Sequence, residues 1–310
     1  MAAAEQRTET ASEPRRLKRL TEAQLADYER DGYLFLRGFF GAGEIAPLQA
    51  ACAADPEIGG ALQAVADSAG KPQEVVSWSR LSNDLVGVFP RIARLVEATE
   101  DLIGLPVYHW HSKLSMKKPA SEGRWDWHQD YGYWYYEGCL APDMTTCMIG
   151  VDRADRENGC VQLVRGSHRL GRIDHTRIGE ASGVDPQRLA EIMKTHEVID
   201  AALEPGDAAF FHCNTLHASG PNKSDRPRTL LHCSYNAIAN SPFIEGQEHH
   251  AYRPLEKLPD SAIRDGKFAS IFDRQEFFAT SRKPAVNSYG YKMLKHATRA
   301  KAHDISTGER

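Results

Sequence analysis

The sequence predicts a mainly β protein with flanking helices, its core a double-stranded β-helix, or jelly roll, over about residues 105–240. Three observations predict it. After Pro106 the apolar residues fall into short β-like runs rather than helical stripes. Turn residues punctuate those runs at close intervals. The 41% hydrophobic content of the 310 residues is enough to fill a sizeable core.

The elements follow in order. Thr21 is placed as a helix N-cap with Gln24 three residues on, Leu25 and Tyr28 recur at helical spacing, and Gly32 ends that helix. Tyr33–Leu36 reads as a short buried strand and residues 41–52 as an alanine-rich helix. Residues 55–73 show weak periodicity and read as a loop or lid. Ile92–Ile103 is a helix stopped by Gly104 and Pro106. The expected strands are Val107–Met116, Trp125–Tyr131, Thr145–Asp152, Cys160–Val164, Ala208–His212 and Thr229–Tyr235. Lys118-Pro119, Glu157-Asn158-Gly159, Arg165-Gly166-Ser167, Pro205-Gly206-Asp207 and Gly220-Pro221-Asn222 separate them. Residues 168–200 read as a polar, partly helical insertion, and 240–310 as mixed helix and loop with a basic end. Residues 1–20 are expected to be a solvated tail, and 21–310 a single domain.

Composition narrows the function. A net charge of −4 with interspersed signs carries no footprint for nucleic acid. No apolar run approaches the length of a membrane span, and the N-terminus lacks the apolar stretch of a secretory signal. The six cysteines form no C-x-x-C, so reduced thiols in a cytoplasmic protein are expected and a structural zinc site is not.

One constellation carries chemistry. In Trp125-Asp126-Trp127-His128-Gln129-Asp130, residues i and i+2 of a strand share a face, so His128 and Asp130 can meet one metal. A second run, from Pro205-Gly206-Asp207 through the strand ending at His212, leads on to His217. Two imidazoles and a carboxylate suit a divalent first-row metal with open positions, the triad of non-haem Fe(II) oxygenases. Alone, H-x-D also describes a surface pair. Eleven residues past His217, Arg228 offers the forked, permanent charge that a distal carboxylate needs. Ser219 can add a hydroxyl, Arg226 is the competing arginine, and both arginines also fit as loop charges beside Pro227.

These pieces, in this order, resemble the phytanoyl-CoA dioxygenase family of Fe(II)/2-oxoglutarate oxygenases, which includes ectoine hydroxylase. Leu20–Gln24 and Asp31–Phe40 resemble its N-terminal helix and strand. His111–Lys117 resembles the strand before the first ligand, and His128-Gln129-Asp130 the H-x-D motif. Asn158-Gly159-Cys160 and Arg165-Gly166-Ser167-His168 resemble its N-G and P-G-S-H signatures, with Arg165 in place of the usual proline. Pro205-Gly206-Asp207, His217 and Arg228 complete a match over about residues 20–240.

The resemblance implies a cupin-like jelly roll with His128, Asp130 and His217 as iron ligands, using Fe(II), 2-oxoglutarate and O₂. It implies that Arg228 and Ser219 hold the distal carboxylate of 2-oxoglutarate, with His111 and Lys113 as further cosubstrate contacts. Trp134 is implied to face the substrate, with Tyr131 and His232 as further candidates; as a strand, residues 131–136 would send alternate rings inward and outward. His168 is expected to order its turn rather than bind metal. The carboxylate of Asp130 favours oxygenation over halogenation, because related halogenases carry a small residue there. The expected reaction is hydroxylation of a small metabolite or natural-product intermediate by a monomer or homodimer, with 2-oxoglutarate converted to succinate and CO₂. Desaturation, epoxidation or rearrangement with the same cofactors is the first alternative. A non-catalytic metal-binding barrel and a metal-dependent isomerase or hydrolase are the others.

Overall fold

A computed structural model describes residues 16–178, 181–245 and 250–273. The N-terminal part is helical. Helix α1 (Glu22–Asp31) starts at a capping box in which Thr21 accepts from the Gln24 amide and the Gln24 side chain accepts from the Thr21 amide. It stops at Gly32, whose φ of 80° and lack of Cβ are both required: a Cβ would stand 2.3 Å from His168 Nδ1. Strand β1 (Tyr33–Leu36), α2 (Ala42–Ala54) and α3 (Pro56–Ala61) follow, then β2 (Gln63–Ala66) and β3 (Pro72–Trp78). Residues 55–73, expected as a loop or lid, thus contain a helix and one and a fraction strands of the larger sheet. Short apolar alternation there was too weak to reveal that pairing. A single turn, α4 (Leu85–Val88), precedes α5 (Ala93–Ile103).

The remaining elements build the barrel: β4 (Val107–Lys117), β5 (Trp125–His128), the one-turn α6 (Tyr131–Trp134), β6 (Met144–Gly150) and β7 (Val161–Val164). Then come β8 (His175–Ile178), β9 (Ala181–Val184), α7 (Pro186–Met193) and β10 (Val198–Ala201). The chain returns through β11 (Ala208–His212), β12 (His217–Ser219) and β13 (Arg228–Ala237). The larger sheet has the order β1-β11-β6-β13-β4-β3-β2, the smaller one β10-β7-β12-β5, and every pairing is antiparallel. These two sheets make the jelly roll.

Period-two alternation decides which side chains face which core. Cys147 and Ile149 of β6, Phe210 of β11 and Leu231 and Cys233 of β13 pack under the helices, with Leu48, Phe89 and Leu95. Their neighbours Met148, Phe211 and Leu230 turn the other way and pack with Leu163 of the smaller sheet. On β13 this puts Arg228, Leu230, His232 and Ser234 on the inner face, opposite Lys113 and His111 of β4 in register. No helix among the described residues is long and apolar enough to cross a membrane.

Two further expectations change. The strand predicted over Trp125–Tyr131 ends at His128, because Asp130 already has helical angles (φ −59°, ψ −40°) and caps α6. The tail predicted for residues 1–20 is already docked at Lys18: the amides of Lys18, Arg19 and Leu20 all donate to the Asp101 carboxylate, and Leu20 is buried. Residues 1–15 and the expected basic end from 274 onward lie outside the described residues.

Candidate metal centre

His128 and His217 are cross-strand partners on β5 and β12, with ring centroids 4.1 Å apart. Asp130 reaches the same point from the first turn after β5. Its Oδ1 lies 3.6 Å from His217 Nε2 and 3.9 Å from His128 Nε2. One ligand atom from each residue falls within 4.8 Å of the others, and all three side chains are buried. The expected convergence of the H-x-D pair is therefore present, but its cause differs. A strand that stops at His128 and coils at once turns Asp130 back beside the imidazole.

The imidazoles are oriented from behind. Nδ1 of His128 lies 2.6 Å from the Asp126 carbonyl and Nδ1 of His217 lies 2.9 Å from the Thr215 carbonyl. A carbonyl only accepts, so both Nδ1 atoms carry hydrogen and both Nε2 lone pairs point at Asp130. Burial, together for His128 with the neighbouring His217, holds both rings below their ordinary pKa, which keeps them neutral and ready to ligate. Thr146 on β6 donates to Asp130 Oδ2 at 3.2 Å and meets Ser234 at 2.8 Å. Gln129, between the ligands, fixes the turn: its side chain donates to the carbonyls of Gly171 and Asn214 and accepts from the Ile173 amide. Its own amide donates to His175 Nε2.

Arg228 is fully buried at the start of β13. Its Nη1 donates to Ser115 Oγ at 3.0 Å, while Nε and Nη2 find no partner among the described residues. Burial pushes the guanidinium down to about 10, although Cys160 and Asp152 act the other way. The Ser219 hydroxyl is buried and likewise finds no partner among the described residues. These orphaned donors fit a carboxylate ligand, just as the triad fits a divalent cation. Arg226, the competing arginine, lies outside: it is 39% exposed and pairs with Asp155 and Glu157.

The other predicted residues divide. His111 and Lys113 share the inner face of β4, and the Lys113 ammonium stands 5.9 Å from the Trp125 ring centroid. His232 is buried on β13 opposite Lys113, with its Nδ1 unpartnered among the described residues. Trp134 is buried and meets His111 edge-on at 5.6 Å. Tyr131 differs from expectation: its hydroxyl donates to the Cys139 carbonyl and its ring joins the apolar cluster of Tyr108, Trp110 and Met144. The cause is helical rather than strand periodicity, which buries Tyr131 and Trp134 three residues apart and leaves Tyr135 40% exposed. His168 lies 3.2 Å from the Glu29 carbonyl through Nε2, in keeping with an ordering role for its turn.

Sequence reasoning missed Thr146, His175 and the role of Gln129; Tyr133, one of the aromatic run after the H-x-D motif, packs its ring 5.7 Å from that of His128. Two threonines on the otherwise apolar β6 were the one available sign of Thr146. The others act through tertiary contacts.

Residues 28–230 match the family model described as Phytanoyl-CoA dioxygenase (PhyH). The chain is 31% identical over 266 residues to an ectoine dioxygenase of Halomonas elongata, covering 78% of each protein. It is 32% identical over 168 residues to an L-proline trans-4-hydroxylase of Streptomyces griseoviridis, covering 49% of this chain and 63% of the relative. Among solved structures, EctD from S. alaskensis with 2-oxoglutarate and 5-hydroxyectoine superposes with a TM-score of 0.62 at 26% identity, over 77% of this chain and 88% of that one.

Proposed function

The chain belongs to the phytanoyl-CoA dioxygenase family, and from that premise we propose how its residues divide the work of a non-haem Fe(II)/2-oxoglutarate-dependent dioxygenase. The observation that carries the reading is the pairing of a buried His-Asp-His triad with a buried, half-satisfied arginine. When bound, iron and 2-oxoglutarate supply the activation of O₂, in which the cosubstrate becomes succinate and CO₂ and the substrate is hydroxylated.

His128, Asp130 and His217 hold the metal through Nε2, Oδ1 and Nε2. Thr146 holds the carboxylate so that one oxygen stays turned to the imidazoles. Arg228, aided by Ser219, binds the distal carboxylate of 2-oxoglutarate. The fork satisfies two donors that otherwise stay buried and unpaired. His111 and Lys113, on the neighbouring strand, complete the cosubstrate side. Trp134 and His232 face the substrate, and Tyr131 supports the wall rather than touching the substrate. The enclosing sheets exclude water from the reacting atoms.

The substrate is a small molecule, and we assign it to compact metabolites or natural-product intermediates, as the names of the ectoine and proline relatives suggest. We place the enzyme in the cytoplasm, as a monomer or homodimer, in keeping with its six unpaired thiols.

The test is anaerobic addition of Fe(II) and 2-oxoglutarate. A metal-to-ligand charge-transfer absorption is expected in the wild type and its loss in His128→Ala. Ectoine, L-proline and related metabolites are then screened for succinate release, with product mass separating added oxygen from lost hydrogen. No band in the wild type, or its survival in His128→Ala, would refute the assignment.

A further inference from the structure

Each imidazole of the triad is oriented by the carbonyl two residues before it, that of Asp126 for His128 and that of Thr215 for His217. Such a carbonyl is only as well fixed as the residue that carries it. Both residues are held by their own side chains, each to an element that supplies no ligand.

Asp126 lies on β5, which ends the smaller sheet as β2 ends the larger one. The turn between β2 and β3 reaches it. Ser68 donates its amide to Asp126 Oδ2 at 2.9 Å and its hydroxyl to Asp126 Oδ1 at 2.7 Å. The turn is stitched in its own right. The buried Asp67 carboxylate accepts from the amides of Ala69 and Lys71 through Oδ1, and from that of Arg124, on the approach to β5, through Oδ2. Hydrogen bonds to an ionised acceptor are the stronger kind, so both oxygens of Asp126 are firmly taken.

Thr215, in the loop from β11 to β12, is fully buried. Its hydroxyl donates to the Gly32 carbonyl at 2.7 Å, and the His212 amide donates to the same oxygen at 2.9 Å. Gly32 ends α1 and leads into β1. The junction of α1 and β1 therefore holds this loop at both His212 and Thr215.

We propose that Asp126 and Thr215 are positioning residues of the metal centre, each fixing through its side chain the carbonyl that turns one histidine toward the metal. Ser68 and Gly32 are their anchors. The β2–β3 turn and the α1–β1 junction thus set the geometry at which the triad takes its cation, as groups behind a ligand commonly do. The role rests on the reading above only in taking the triad for a metal site.

The test uses the full-length protein and Co(II), whose d–d absorption reports the arrangement of the ligands without cosubstrate or turnover. Asp126→Ala and Thr215→Val remove the side-chain anchors and leave both carbonyls in the backbone. Each is expected to weaken Co(II) binding by about three- to tenfold, less than the factor of about 10–100 lost with a group that bonds a ligand directly, and to shift the absorption. In the double variant the two factors should multiply, because the anchors share no partner. Thr215→Ser keeps the hydroxyl and should restore the wild-type affinity and spectrum. A merely structural role would lower the thermal stability of the apoprotein and leave Co(II) affinity and absorption unchanged; that result in the two single variants overturns the proposal. A loss in Thr215→Ser equal to that in Thr215→Val overturns it for His217. Should Asp126→Ala fail to fold, Ser68→Ala takes its place, and wild-type affinity and absorption there overturn the proposal for His128. Absence of Co(II) binding in the wild type overturns the metal centre and this assignment with it. Normal Co(II) binding without the charge-transfer absorption of Fe(II) and 2-oxoglutarate overturns the oxygenase reading alone.

Discussion

Thr146 donates its hydroxyl to Oδ2 of Asp130 at 3.2 Å, and Oδ1 of the same carboxylate faces His217 Nε2 at 3.6 Å. The two oxygens thus have separate tasks, one anchored to β6 and the other offered to a metal. Partners that orient a ligand from behind commonly carry a factor of about 10–100 in metal affinity.

Thr146→Val is therefore expected to weaken Fe(II) binding by about tenfold or more at unchanged fold. Thr146→Ser should restore most of it. Anaerobic metal titration checks both, with thermal unfolding of the apoprotein as the control. Equal affinity of all three proteins would show that the hydroxyl does not position Asp130.

Arg228 has two buried donors to satisfy. Arg228→Gln removes the charge and the fork, and should weaken 2-oxoglutarate binding by about 10–100-fold, the worth of a charge-assisted pair. Metal affinity should stay within a factor of about two, because the triad is held by other strands. Cosubstrate titration of the charge-transfer band measures the first and metal titration the second.

Asp207 closes the turn before β11. It is buried, which alone would raise its pKa, but the Gly38 amide, the Arg37 guanidinium and the Glu204 amide all donate to it and hold it below the usual aspartate value. A lowered carboxyl pKa stabilises the fold above the unfolded value and loses that contribution as pH falls through the folded one. Asp207→Asn should cost about 1–2 kcal/mol near neutral pH. The gap to wild type should close as the pH is taken below about 3.9. Urea unfolding across that range tests the sign: a gap that widens in acid would contradict it.

Gly132 sits inside α6 against His175, and a Cβ there would stand 2.2 Å from His175 Nε2, the atom that accepts the Gln129 amide. Gly132→Ala is expected to displace that imidazole and destabilise the protein by about 1–3 kcal/mol, as overpacking does. Metal affinity should fall with it, since Gln129 lies between two ligands. A variant as stable as wild type, with unchanged metal binding, would place His175 outside the supporting shell.

The residues of the triad, Arg228 and Ser219 could be singled out by residue type and spacing, and the family resemblance supplied the roles proposed for them. An imidazole, a carboxylate and a guanidinium keep their roles wherever the chain takes them. The strands of the barrel were legible too, because apolar alternation and turn residues are local signals: Ala208–His212 is bounded as expected, and β4 and β6 are bounded within one or two residues. The strands β2 and β3 were not, because their alternation is weak and β3 joins the sheet through β4, a partner distant in sequence. Nor was the coil that starts at Asp130, where the short H-x-D motif fits a strand and a helix start equally well.

Sequence by itself determined which groups could bind iron and a dicarboxylate, and that the middle of the chain would be β. Only the tertiary structure decided which carbonyls fix the two imidazoles and that Thr146 steadies Asp130. It alone sent Tyr131 to the wall and brought Gly32 beside Thr215 across more than a hundred residues. The physical reason is the range of the interactions. Spacing along a strand or helix is set by the backbone, whereas a carbonyl, a hydroxyl or a stacked ring finds its partner only after the two sheets close on each other.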